Sequence, residues 1–134
     1  MKAFVFMCML FAHIVDDFYL QGILAKMKQK EWWKEQTDDK KYRNDWIPAL
    51  IAHGISWAFM IQLPIAIYFI ATGHSDHLSL LIPVFILNVW IHCDTDNDKC
   101  NKKTINLAMD QTVHLVQIIG SFIYFCECIS YDIS

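Results

Sequence analysis

Charge is what this chain has least of. Only 19% of its 134 residues are charged, and most of these crowd into residues 26–45 and 94–103. The formal net charge is −3, which gives no case for nucleic acid. No C-x-x-C pair occurs among Cys8, Cys93, Cys100, Cys126 and Cys128. Their odd number argues against a disulfide framework, and they read as small apolar fillers in helices. Internal repeats and low-complexity runs are missing, which excludes solenoids. A small-x-small cleavage site is also missing after the first apolar run, so that run reads as a retained span rather than a signal peptide.

Apolar sequence fills the space that charge leaves. Hydrophobic residues make up 55% of the chain and the mean hydropathy is +0.28, above the usual share for a water-soluble domain. Four stretches are long enough to matter: about 3–25, 46–72, 78–96 and 104–129. The third is short and carries Pro83 in its first turns. The reading is a single all-α membrane domain, a four-transmembrane-helix bundle. Lys and Arg sort by connection. Residues 26–45 hold Lys26, Lys28, Lys30, Lys34, Lys40, Lys41 and Arg43, and residues 97–103 hold Lys99, Lys102 and Lys103. Residues 73–77 and the tail after Ile129 hold none. The positive-inside rule then places the first and third connections in the cytoplasm and both termini outside, in a multipass protein of the cell (inner) membrane. Lys2 alone opposes this. Trp32 and Trp33 among the lysines of the first connection predict a short interfacial helix at headgroup level, with a solvated connector as the plain alternative.

Against this apolar background stand His13, Asp17, His53, His92, Asp96, Asp110 and His114. Ionisable groups inside a bilayer are costly and usually functional. His13/Asp17, His92/Asp96 and Asp110/His114 are each four residues apart, so each pair shares one helix face. With a rise of ~1.5 Å per residue, Asp17 lies roughly 13 Å deep, His53 roughly 10 Å, and Asp110 and His114 roughly 9 and 15 Å. His92 and Asp96 fall in the last turns of the third span, and His13 lies deepest, near mid-membrane. All seven therefore share the cytoplasmic half, which predicts one polar cavity open to that side. An imidazole–carboxylate set suits a divalent metal, zinc first and iron or manganese as alternatives, as one ion or two sharing carboxylates. A metal-free Asp–His hydrogen-bond network and ordinary helix-to-helix polar contacts are the competing readings.

Other signals add less. Asp94-x-Asp96-x-Asp98 opens like a calcium loop, but Lys99 stands where glycine is required and Ile105 where the closing glutamate belongs. Cys93 and Cys100 match the site in depth as possible extra ligands, and His74 and His77 fall on the opposite side. Gln21 follows Asp17 by four residues and Gln111 follows Asp110, placing both where they could orient ligands. Lys99 could meet an anionic substrate group at the cavity mouth, or reach out to the interface.

The motifs, taken in order, match a known pattern. Ala12-His13-Ile14-Val15-Asp16-Asp17-Phe18-Tyr19-Leu20-Gln21, then His53, then His92-x-x-x-Asp96-x-x-Lys99, then Asp110-Gln111-x-x-His114 resemble the domain of unknown function 3307 family of small bacterial and phage membrane proteins. The chain departs from that family at Asp16, where glycine is common, and in a shorter link between the last two motifs. The resemblance implies a multipass membrane protein and supplies no activity.

Three functions remain open. A metal-dependent membrane hydrolase would act on a lipid-like amphiphile, with whichever of Asp17, Asp96 and Asp110 is not a ligand as general base. A metal or proton transporter would need polar groups through both leaflets, where the outer half offers only Gln62, Asn88 and Ser121, unless a homo-oligomer supplied more. A metal-stapled structural or regulatory module, such as a phage might direct at a host membrane protein, would use the Trp32/Trp33 connection to bind its partner.

Overall fold

The computed structural model describes residues 1–131. Among these residues every regular element is helical and no strand occurs. Helix α1 (Lys2–Ile14) runs on as a π-helical segment, Val15–Leu20. Two short helices follow, α2 (Leu24–Met27) and α3 (Lys30–Gln36). Helix α4 (Trp46–Ala71) is the longest, α5 (Leu81–Asn97) ends in a second π-helical segment, Asp98–Lys102, and α6 spans Leu107–Tyr131. Four helical stretches are long and apolar enough to cross a membrane: Lys2–Leu20, Lys40–Ala71, Ser75–Lys102 and Leu107–Ile129.

Two boundaries differ from the hydropathy reading, each for a local reason. The first long helix stops at Leu20 instead of near residue 25, because Gly22 takes φ +47°. That left-handed geometry favours glycine and ends helices. The third continues through the charged residues expected to form a connection. Lys102 pairs with Asp98 at 2.6 Å, and Asn101 Nδ2 donates to Asn97 Oδ1 at 3.1 Å, both across four residues. Such pairs carry a helix through polar sequence. Lys103, at φ 57°, then turns the chain. Asn106 starts α6, its Oδ1 accepting from the Met109 amide at 2.9 Å. Pro83 sits in the first turn of α5, where its missing N–H costs nothing.

The distribution of side chains is inverted relative to a water-soluble protein. Phe4, Met7, Phe11, Phe59, Ile86, Trp90, Val116 and Ile123 are exposed, while polar side chains are buried about as often as apolar ones. The interior divides along the bundle axis. Toward the end carrying the Ser75–Leu80 turn, Val5, Met9, Ile61, Ile65, Phe69, Leu81, Ile118 and Phe125 form an apolar core. Toward the end carrying α2 and α3, buried His, Asp and Lys side chains lie beside a few small or apolar ones such as Ala12, Ala49 and Leu50. Helix α4 packs on both α1 and α5, and Trp57 lies on it between the two regions.

Candidate metal centre

Each of the four long helices brings polar residues to one point. Helix α1 supplies His13, and the π-helical segment behind it buries Asp16 and Asp17 together. Helix α4 supplies His53, α5 supplies His92 and Asp96, and α6 supplies Asp110 and His114. All seven residues picked out by spacing meet here, none more than 4% exposed. His53 Nε2 lies 3.4 Å from both Asp17 Oδ1 and Asp96 Oδ2. His92 Nε2 is 3.7 Å from Asp96 Oδ2. His114 Nδ1 is 3.8 Å from Asp17 Oδ2, and its Nε2 is 3.9 Å from Asp110 Oδ1. The His92 and His114 rings stack at 4.3 Å, and the Trp57 indole stacks on His92 at 4.4 Å.

Both ring nitrogens of His53, His92 and His114 have no hydrogen-bond partner, and neither do Asp16 Oδ2, Asp96 Oδ1 and Asp110 Oδ1. Buried polar atoms are nearly always satisfied, and an ion held among these groups would satisfy them. Three ligand groups could hold an ion: His13/Asp17/His114, Asp17/His53/His92 and His92/Asp96/His114, the ligating atoms of each within 4.8 Å of one another. Metal–ligand bonds of about 2.0–2.2 Å fit that spread.

His13 differs from the other histidines. Its Nδ1 accepts from Trp57 Nε1 at 2.8 Å, and its Nε2 lies 3.1 Å from Gln111 Oε1. An indole N–H only donates, so Nε2 must carry the proton and donate to Gln111. Gln111 Nε2 in turn donates to Asp17 Oδ2 at 2.8 Å and Asp110 Oδ2 at 3.0 Å. Gln21 Nε2 donates to Asp17 Oδ1 at 3.2 Å. The donors thus run in one direction, from Trp57 through His13 and Gln111 to Asp17. Lys99 Nζ lies 2.5 Å from Asp110 Oδ2 and 3.5 Å from Asp96 Oδ1, bridging the two carboxylates.

Four participants were not singled out from the sequence. Asp16, 1% exposed, accepts from Ser56 Oγ at 2.6 Å and faces His53 Nδ1 at 3.8 Å. Lys28 is buried and meets Asp96 Oδ2 at 2.5 Å. Trp57 orders His13 and packs on His92. Asn101 Oδ1 accepts from the Lys30 amide at 2.7 Å, and its Nδ2 donates to the Lys28 carbonyl at 3.1 Å, tying the α2–α3 connection across this end of the bundle. Only Asp16 carried a signal, its adjacency to Asp17 inside an apolar run.

Other polar residues lie apart. The ion-holding groups contain no cysteine among the described residues; Cys93 Sγ donates to the Leu50 carbonyl at 3.5 Å. Asp94 and Asp98 pair with Lys102. His77 packs its ring on Phe69, toward the apolar end. One turn beyond His92 and His114, Gln117 Nε2 donates to Asn88 Oδ1 at 3.1 Å and Asn88 Nδ2 donates to Ser121 Oγ at 2.8 Å. This polar layer stops below Phe125, which is fully buried. No family model, curated protein or solved structure matches the chain.

Proposed function

We propose that this chain is a four-span membrane protein holding one divalent metal ion in its cytoplasmic half, and that it hydrolyses an amphiphilic, lipid-like substrate there. The membrane reading is supported by apolar side chains exposed around all four long helices while carboxylates and imidazoles are buried. The lysine-rich connections support a cytoplasmic position for the clustered end and a headgroup-level position for α3. The observation that carries the metal reading is the set of unpartnered ring nitrogens on His53, His92 and His114, facing Asp17, Asp96 and Asp110.

These three histidines and Asp17 or Asp96 are the proposed ligands. His13, with Nδ1 engaged by Trp57, orients Asp17 through Gln111. Charge favours one ion over two. Lys28 pairs with Asp96 and Lys99 with Asp110, so two of the four buried carboxylates already have a cation beside them. Lys99 already bridges Asp96 and Asp110 as a second cation would. A bound divalent ion makes a water acidic enough to supply hydroxide near neutral pH. Asp110, held by Lys99 and Gln111, would be the group to take that proton. Lys99, whose side chain is 22% exposed, marks the mouth and would meet an anionic or polarised substrate group.

A second reading has its own support. His92, Asp96, Asp110 and His114 are all fully buried, as in a structural metal staple. One experiment separates the two: metal content of the protein in detergent, beside turnover of lipid esters, amides and phosphates. One ion per chain with metal-dependent turnover supports the hydrolase. One ion whose removal unfolds the bundle, with no turnover, supports the staple. A protein that cannot be loaded with any ion defeats both.

A further inference from the structure

Away from the metal centre, the first connection builds a cavity of about 520 Å³ between α3 and the start of α4. Its lining includes four cations, Lys30, Lys34, Lys40 and Arg43, and the indoles of Trp33 and Trp46. Asp38 and Asp39 are the opposing charges in the lining, leaving cations in excess. Asp39 is partly engaged, its Oδ1 accepting from the Lys41 amide at 2.9 Å. Two contacts hold the walls in place: Trp33 Nε1 donates to the Met27 carbonyl at 2.7 Å, and Lys30 Nζ sits 4.4 Å from the Trp46 ring centre. Lys34 pairs with Glu31 at 2.8 Å, but both side chains are well exposed, and such pairs are weak enough to exchange for a better anion.

Helix α4, whose first residue Trp46 lines the cavity, carries an exposed apolar track. Ile47, Ile51, Ile55 and Phe59 recur every four residues along α4, so they share one face. They are exposed by 40%, 44%, 45% and 57%. The track begins one residue after Trp46, in the cavity wall. Cations beside indoles at the top of an exposed apolar face fit a phosphate with acyl chains attached. A soluble phosphate would use the cavity and leave the track idle.

We infer that the cavity between α3 and α4 binds the phosphate headgroup of an anionic phospholipid, whose acyl chains lie along Ile47, Ile51, Ile55 and Phe59. This rests on the membrane part of the proposed function and is independent of the metal ion.

The test uses the full chain reconstituted in nanodiscs, then released into neutral detergent so that retained lipid is counted by native mass spectrometry. The probes are phosphatidylglycerol, phosphatidylcholine and inorganic phosphate. Wild type is expected to keep one phosphatidylglycerol in preference to phosphatidylcholine. The Lys30→Gln/Arg43→Gln double variant should retain it about tenfold less, and the charge-keeping Lys30→Arg/Arg43→Lys variant should restore retention. Equal retention of the two lipids, or a double variant that behaves as wild type, overturns the inference. So does displacement of the lipid by millimolar inorganic phosphate, which would mark a soluble-anion site. A chain that fails to insert into nanodiscs at all defeats the membrane reading instead.

Discussion

The two ends of the bundle are held together by different forces. At the apolar end, Phe69 and Phe125 meet at 5.6 Å and Tyr68 and Phe125 at 5.1 Å, with Ile61, Ile65 and Ile118 filled in around them. If lipid surrounds the helices, burying these side chains removes no water, and shape complementarity does the work. At the polar end, directional contacts draw four helices to one point, and the groups they gather repel one another. Asp16, Asp17, Asp96 and Asp110 are all buried there. Counter-charges ease that repulsion, and Lys28 and Lys99, paired with Asp96 and Asp110, supply two of them. The apolar end is held by packing alone, whereas the polar end is held by hydrogen bonds and ion pairs among buried charged groups.

Substitutions can break this contrast or sharpen it. The largest effect is expected from His92→Ala and His114→Ala, each losing stoichiometric metal from purified protein by elemental analysis; full metal content in either would remove that residue from the site. Lys28→Ala leaves Asp96 with a buried, unpaired oxygen and should cost about 3–5 kcal/mol, read as a fall in unfolding temperature in detergent. An unchanged midpoint would mean that the Lys28–Asp96 pair does not hold this end together. Phe125→Ala should cost about 3 kcal/mol while metal content stays at the wild-type value. Metal loss in that variant would show that the two ends are not separable.

A smaller and more specific effect is expected at Gly54. A Cβ there would stand 2.5 Å from Cys93 Sγ, forcing α4 and α5 apart beside His53 and His92. Gly54→Ala should weaken metal binding about tenfold, or about 1.4 kcal/mol, and the added Cys93→Ala change should recover most of it. Failure of that rescue would assign the loss to something other than helix spacing. Ser121→Ala, in the polar layer above the site, should cost only about 0.6 kcal/mol, near the limit of a thermal unfolding measurement.

Much of this contrast could be read before any coordinates, because the helical repeat is regular. Pairs four residues apart on apolar helices must share a face, so His13/Asp17, His92/Asp96 and Asp110/His114 were legible from spacing, as was their common depth. What spacing could not convey came from departures from that repeat and from long side chains. Asp16 reaches the interior because the backbone around it is π-helical, which no residue pattern announces. Lys28 sits among residues that look solvated, and its flexible chain carries the ammonium inward to Asp96. Trp57 reads as one more aromatic in a span until its N–H is seen to face His13. Gly22 ends the first helix well inside an apolar run, through a backbone angle rather than a change in hydropathy.

The π-helical segment Val15–Leu20 gives the chain an unusual sensitivity. A wider turn accommodates an extra residue, so the aim of Asp17 depends on how many residues separate it from His13 as well as on which they are. Deleting Val15 would leave every proposed ligand in the protein. Yet Asp17 would then stand three residues after His13 instead of four, and its direction about the helix axis would change. Most protein sites are vulnerable to a change of letter. This one is also sensitive to a change of count, and a single-codon deletion at Val15, outside the proposed ligand set, would re-aim Asp17.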